Sequence, residues 1–492
     1  MLLLSFAALL PWFAELPPMV DLPQHAGQVA AMMDLLLGDF RWSGLAHLNF
    51  ATPYLVAYLS AAALHLVFPI ATAFKILLSL SYLATVGGLV LLRRRLGGDA
   101  RLDWLFLPSF FGFPYLWGFL PFLVAAPVCI LMLAVGHAYA ERGGGLPGLR
   151  LLLMGCLLFF SHGLMFLLGG AISGGFLLPR LFRRERPLTA LWPFLILAGI
   201  AMVYFLTAPL PVDFDANGVP SHAYGAHLRT NWGATWQRLG EFFVYPLGTI
   251  ADLSLSPLCF AFFAVPLVLG ARIDWRRMDR LFPFATIVAI WMLVPNTAMQ
   301  TGFLYERFAL FSLPFYALMF EAAPATPFRA RVALLLGLSA CLIFFGISTR
   351  RLLRYEVEAQ DFNHVLGVAA PGGLALSLIF DRNSPAMNNR DLYMHFPAWY
   401  QARSHGFVEF NFAFFLPGIV RYRRGEEPNL PESIELRPEA FRFTEHGGAR
   451  YDYIFTRGAS PAQIATLADG ACSLTPLAQA GAWALYAGCP AR

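Results

Sequence analysis

Charge is what this chain has least of. Asp, Glu, Lys and Arg make up only 13% of its 492 residues, against about 25% in an ordinary soluble domain. A chain so poor in charge cannot coat a water-facing surface of this size, so lipid must be the solvent for most of it. Lysine is scarcer still: Lys75 is the only one, and every other basic side chain is an arginine. The arginines stand in short clusters between apolar runs, the pattern of loops flanking membrane spans. The net charge of +5 is therefore no nucleic-acid signal. Cysteine is also sparse. Cys129, Cys156, Cys259 and Cys341 lie in apolar runs and read as inert packing residues, whereas Cys472 and Cys489 flank the last segment and can pair in an oxidising compartment. Absent altogether are Cys/His metal-ligand spacings, phosphate-cradling Gly-rich loops and a Gly-x-Ser-x-Gly elbow.

Apolar side chains are what the chain has in excess, at 58% of the sequence. Apolar runs predict about eleven spans, near 1–17, 70–92, 104–118, 119–140, 149–161, 163–180, 188–210, 254–271, 281–296, 306–321 and 331–348. Several fall short of the ~20 residues a perpendicular helix needs and read as halves of tight hairpins. The first run lacks the basic start of a signal peptide and is expected to stay as a helix.

Arginine placement sets the sidedness. The loops 93–103, 141–150, 180–187, 272–280 and 329–331 hold sixteen arginines, and the alternating loops at 15–50, 211–253 and 296–307 hold four. The first set is expected in the cytoplasm and the second outside. The cluster Arg350, Arg351 and Arg354 runs against this count. The parity also requires Thr52–Phe68 to lie on the membrane surface, within one external loop at 18–68. The expected organisation is a transmembrane domain at 1–348 and a small extracytoplasmic α/β domain at 349–492. In that tail Leu374–Phe380, Tyr451–Thr456 and Trp483–Ala487 read as strands, and Asn363–Val368 and Pro461–Ala468 as short helices.

The first external loop opens with Pro17-Pro18-Met19-Val20-Asp21-Leu22-Pro23-Gln24-His25. Pro23 suits the first turn of a helix, which then runs to Leu37 and stops at Gly38. Ala26, Val29, Ala30, Met33, Leu36 and Leu37 make one apolar stripe, with Gln28 and Asp34 off it, as in a helix lying at the membrane interface. Asp21 stands at its start, where a carboxylate either caps the helix or does chemistry. His25 follows one turn later, as an interfacial side chain or a ligand to substrate.

An acidic residue at the start of the first external loop, a surface helix after it, about eleven spans with short hairpins and an external C-terminal domain together resemble the GT-C superfamily of membrane glycosyltransferases. The resemblance is one of architecture over essentially the whole chain. It implies transfer of a hexosyl or pentosyl unit, with inversion, from a polyprenyl-phosphate-linked sugar donor to a lipid, glycan or protein acceptor outside the cytoplasm. It also implies that Asp21 is the catalytic residue. Many members carry a paired Asp-Glu there; this chain has Asp21-Leu22, which leaves the partner of Asp21 open. The implied location is a bacterial inner (cytoplasmic) membrane, multi-pass, with membrane lipid as the surrounding partner.

Other polar residues are candidates for binding substrate. Arg307, in Glu306-Arg307 at the mouth of a span, suits bidentate phosphate contact, or else snorkels to the interface beside Glu306. Asp213 and Asp215 have the spacing to hold sugar hydroxyls or a divalent cation, and otherwise are turn residues. No other cofactor is implied. Trp232 and Trp236 mark the membrane interface. His162 interrupts an apolar region at the outer turn of a hairpin. The aromatic run Phe110–Phe122 is expected to be a hairpin packed through Gly112 and Gly118, with Trp117 at the interface. His395 stands in an aromatic stretch of a tail to which no catalysis is assigned. Two further functions fit the composition: a transporter or flippase of a lipid-linked saccharide, and a non-catalytic envelope-assembly scaffold. A transferase requires a polar cavity at the outer membrane face with Asp21 on its floor.

Overall fold

The structure is a computed structural model, and it describes the chain except for residues 1, 39–40, 208–229, 299–300, 323, 416, 432, 471–472 and 490–492. Helices dominate the first three-quarters: α1 (Leu2–Ala8), α2 (Leu22–Leu37), α3 (Leu55–His65), α4 (Ile70–Leu96), α5 (Phe113–Trp117), α6 (Leu120–Arg142), α7 (Gly145–Ser161), α8 (Gly163–Phe182), α9 (Trp192–Thr207), α10 (Thr235–Glu241), α11 (Ser256–Leu269), α12 (Met278–Leu293), α13 (Ala309–Leu318) and α14 (Pro327–Leu366). Short strands β1 (Ala46–Leu48), β2 (Arg272–Ile273) and β3 (Phe320–Glu321) lie between them.

By length and composition, five described segments can cross a membrane: Ile70–Leu96, Leu120–Arg142, Gly163–Phe182, Leu188–Thr207 and Pro327–Leu366. Leu55–His65, Gly145–Ser161 and Leu253–Leu269 are apolar but shorter. The protein is thus a multi-pass membrane protein. α6 is its centre, most of its apolar length buried against α4, α7 and α8. α9 and α14 present Leu195, Met202, Leu206, Leu335 and Leu342 outward, where lipid covers them.

Two expected spans are corrected. Residues 104–118 form no spanning helix; two short 3₁₀ turns lead instead into the five-residue α5. Pro108, Gly112 and Pro114 break the run, and Gly112 lies so close to the Tyr245 and Pro246 carbonyls that a Cβ would sit 2.4 Å from the Pro246 oxygen. The first run is likewise broken, α1 ending at Ala8 before a 3₁₀ turn that contains Pro11.

The arginine-rich loops gather at one end. Arg93 holds Asp103 with two hydrogen bonds of 3.0 and 2.8 Å, and Arg101 pairs with Asp99. Arg277 and His137 share Asp279. Arg280 donates to the Leu96 and Gly97 carbonyls, and β2 pairs with β3. At the other end lies the C-terminal domain. Its sheet runs β5 (Phe407–Glu409), β4 (Leu374–Ile379), β7 (Tyr453–Arg457), β9 (Trp483–Ala487) and β8 (Thr475–Ala480). β4 is parallel to β5 and β7, whereas β9 is antiparallel to β7 and β8. The expected helix at Pro461–Ala468 forms (α16, after α15 at Ala398–Ser404), with a Ser460/Gln463 capping box. Asn363–Val368 is no separate helix; α14 runs unbroken to Leu366, well past residue 349. Arg351, which the arginine count left against the trend, pairs with Asp252 at 2.5 Å. Cys489 is disulfide-bonded; its expected partner Cys472 lies outside the described residues.

Candidate active site

α2 does not lie on a membrane surface. Its apolar residues Ala26, Val29 and Ala30 are buried as expected, and its polar side is buried as well, against the C-terminal domain. Gln24 donates to the Phe410 carbonyl and accepts from the Phe412 amide; Gln28 accepts from the Val420 amide. Gln401 of α15 donates to the Gly27 carbonyl, and Asp34 holds His405 at 3.0 Å. β1, from the same loop, pairs with β6 (Val420–Tyr422) of the domain. Amphipathicity was legible in the sequence, and the surface on the polar side was not. Two glutamines and an aspartate on one helix face serve a protein partner as well as they serve water or headgroups.

Asp21 is thereby placed at a three-way junction. Its amide donates to the Trp117 carbonyl at 2.8 Å, which ties the start of α2 to the turn after α5. Gly118 in that turn has φ +92°, and a Cβ there would lie 2.8 Å from the Asp21 amide nitrogen. The carboxylate does not cap α2, because no side-chain capping hydrogen bond forms. It meets the Trp117 side chain on one side, and the Nε2 of His395 lies 3.6 Å from Oδ1 on another. Burial pushes its pKa up to about 8, although the charge of Arg307 and the Trp117 hydrogen bond pull the other way. A buried carboxylate without a tight cationic partner has the basicity of a general base near neutral pH.

Arg307 faces the same junction and is not a snorkelling interfacial side chain. It is buried, with its guanidinium 3.8 Å above the Phe119 ring, and Nε and Nη2 donate to the Phe303 and Gly302 carbonyls. Among the described residues no carboxylate pairs with it. Its charge acts on Asp21, His25, Tyr54 and His162, and it also hydrogen-bonds Tyr54. His25 is buried, with Nδ1 3.0 Å from the Tyr58 hydroxyl. Burial, with Arg307 and His395 adding, lowers its pKa to about 3, so it is neutral at pH 7. His162 stacks on Tyr54 at 5.0 Å, and its Nδ1 accepts from the Leu164 amide, which caps α8. That bond puts the ring proton on Nε2, leaving a donor for an anion.

Four of the sequence candidates, Asp21, His25, His162 and Arg307, thus come together from segments up to 286 positions apart. Glu306 does not join them. It takes a hydrogen bond from Asn296 and belongs with Glu241, which accepts from the Tyr305 hydroxyl at 2.6 Å. Asp213 and Asp215 lie outside the described residues. Among the described residues no group of three His, Cys, Asp or Glu side chains is placed to hold a metal. Trp117 is partly buried beside Asp21 and is no interfacial anchor. Tyr54, Tyr58 and His395 were missed as neighbours of this junction, and His395 brings the tail to within 3.6 Å of Asp21. Nothing in the local sequence singles His395 out; its place follows from α15 docking on α2.

No family model matches the chain, and no curated protein matches it in sequence. Among solved structures it is similar to ArnT from Cupriavidus metallidurans, whose crystal structure holds undecaprenyl phosphate. The TM-score is 0.55 at 12% identity, over 99% of this chain and 97% of that one. It is also similar to the mycobacterial arabinofuranosyltransferase AftD, at TM-score 0.46 and 14% identity, over 99% of this chain and 41% of that one. The first establishes the fold: a polytopic helical membrane architecture like that of ArnT with a small C-terminal α/β domain, as the sequence led us to expect.

Proposed function

We propose that the chain is a membrane glycosyltransferase. It takes a sugar from a polyprenyl-phosphate carrier and joins it to a hydroxyl of a lipid, glycan or protein outside the cytoplasm. The observation that carries this reading is one buried junction that holds both a carboxylate of raised basicity, Asp21, and an arginine, Arg307, that pairs with no carboxylate among the described residues. Such a pair suits a reaction that needs a base at one point and an anion site at another.

In this mechanism Asp21 takes the proton of the acceptor hydroxyl as its oxygen attacks the anomeric carbon. The bond from that carbon to the phosphate oxygen breaks, and its electron pair leaves with the polyprenyl phosphate. Arg307, fixed by two carbonyls and a ring face, meets the growing phosphate charge without first having to be ordered. The Nε2–H of His162 is a second donor to it. Attack from the side opposite the phosphate inverts the sugar. The arginine-rich end is placed in the cytoplasm and the Asp21 junction outside, by the positive-inside rule. Five clusters of basic side chains collected at one end favour that orientation.

The test is a deletion strain complemented with wild-type protein or with Asp21→Asn at matched expression. Mass spectrometry of lipid-linked sugars and envelope glycans is the readout. A glycan that disappears on deletion, returns with wild type and stays absent with Asp21→Asn supports the proposal. Full restoration by Asp21→Asn would sink it in favour of transport or scaffolding.

A further inference from the structure

A buried base has to be emptied after every turnover. Asp21 is 8% exposed, and its surroundings are the Trp117 ring, the cation Arg307 and the aromatic wall around His25. Arg307 cannot accept a proton. His25 is already engaged with the Tyr58 hydroxyl. Among the described residues the basic side chain that remains beside the carboxylate is His395, with Nε2 3.6 Å from Oδ1. Its ring lies against Phe410 and Phe412 and is itself 6% exposed.

That ring also lines a small cavity between α2 and the C-terminal domain. The cavity measures about 10 Å³, and its wall includes Gln24, Ser377, Met394 and Glu435. This is room for a single water, among polar groups able to hold it. Glu435 is only partly buried, so the wall reaches toward solvent.

We propose that His395 passes the proton collected by Asp21 out of the active site, through this cavity, to the aqueous face of the C-terminal domain. The proposal rests on the transferase reading. The acceptor O–H bond breaks and its proton goes to Asp21. The Asp21 O–H bond then breaks as a bond to Nε2 of His395 forms. The imidazole gives up its Nδ1 proton to the cavity water; water then resets the tautomer by protonating Nδ1 and taking the proton from Nε2, one in and one out, so that Nε2 is bare for the next turnover. No oxidant or co-reactant is consumed, and one proton leaves for each glycosidic bond made. Burial and the charge of Arg382 hold the His395 pKa down at about 3. The ring is therefore neutral when the proton arrives. A neutral imidazole can take a proton at one nitrogen while releasing one from the other, so it need not linger as a cation. Among the described residues, the charged or titratable groups facing Asp21 and His395 are Arg307, His25, Tyr54, Tyr58 and Arg382, with Glu435 across the cavity, and of these neighbours of Asp21 it is His395 that lines the cavity.

This inference also gives the C-terminal domain a chemical task. Because His395 acts through Asp21, it is a positioning and relay residue and does not touch the sugar. Its test uses purified full-length protein added to detergent-solubilised membranes of the deletion strain, which supply unspent donor and acceptor. Release of free polyprenyl phosphate is followed by mass spectrometry from pH 6 to 9. His395→Ala is expected to lower the turnover rate about tenfold to a hundredfold at pH 7, with KM for the membrane extract unchanged. Added imidazole should restore at least a third of the loss. His395→Gln, which keeps the packing, should show the same loss without the rescue. Wild-type turnover in both variants, or a loss that imidazole leaves untouched in His395→Ala, would overturn the relay. Asp21→Asn runs alongside. If it is inactive while the His395 variants match wild type, the relay alone fails; if it is fully active, the transferase reading fails with it.

Discussion

The two ends of this molecule treat charge in opposite ways. At the arginine-rich end charges meet in ion pairs that tie the loops together: Arg93 with Asp103, Arg101 with Asp99, Arg277 with Asp279. At the other end Asp21 is buried with an indole and a distant imidazole for company, and among the described residues Arg307 is held by two carbonyls, the Tyr54 side chain and a phenyl face, with no carboxylate in an ion pair. Paired charges tie loops together and need do nothing else. Buried charges left without a matching partner cost stability, and a fold retains them where a substrate supplies what is missing.

The contrast is broken most severely at Asp21. Asp21→Asn should cut polyprenyl-phosphate release by about 10² to 10⁴, the range of a general base. Its melting midpoint in detergent should equal or exceed that of wild type. The sign follows from the raised pKa. In the folded state the carboxyl titrates near 8 and in the unfolded state near the ordinary 3.8. Ionisation therefore opposes folding increasingly as pH rises from about 4 to 8. Asparagine, which cannot ionise, escapes that penalty. A midpoint well below wild type would make Asp21 structural.

Next in size is Arg307. Arg307→Lys keeps the charge but loses the planar fork over Phe119, and should slow turnover about tenfold to a hundredfold. At the paired end the expectation reverses. Asp103→Asn should leave turnover within twofold of wild type and cost about 2 kcal/mol of stability, as expected for a partly buried charged hydrogen-bonded pair. Thermal unfolding followed by tryptophan fluorescence reads the second effect and the release assay the first. Smallest is Asp34→Asn, which loosens α2 from His405. That histidine side chain is 67% exposed, so the change should remain below about 1 kcal/mol. A large loss there would mean that the contact between α2 and the domain is worth more than its geometry suggests.

How much of this was legible in the sequence depends on the range of the interactions involved. The helix start at Pro23 and stop at Gly38 are local, and the structure has them. The apolar runs at 70–92, 119–140 and 163–180 form long helices. The run 104–118 misled because hydropathy does not register that Gly112 and two prolines bend the chain into turns around Tyr245. Asp21 and Arg307 could be picked out because a charge in so apolar a chain needs a reason. Tyr54 and His395 could not. A tyrosine in an apolar helix cap and a histidine among aromatics look like packing until the fold brings them to the same junction. The polar face of α2 was visible, and only the docked domain explains it.

The central claim is that Asp21 is a base made strong by burial and moderated by Arg307. The most direct test is the pH dependence of kcat/KM for wild type and Arg307→Gln. The account predicts that wild-type activity rises with pH to a plateau, with a midpoint near 8. Arg307 lowers the Asp21 pKa, so its removal should move that midpoint upward. A rise complete by pH 5, where an ordinary carboxylate has already ionised, or a midpoint that Arg307→Gln moves downward, would contradict it.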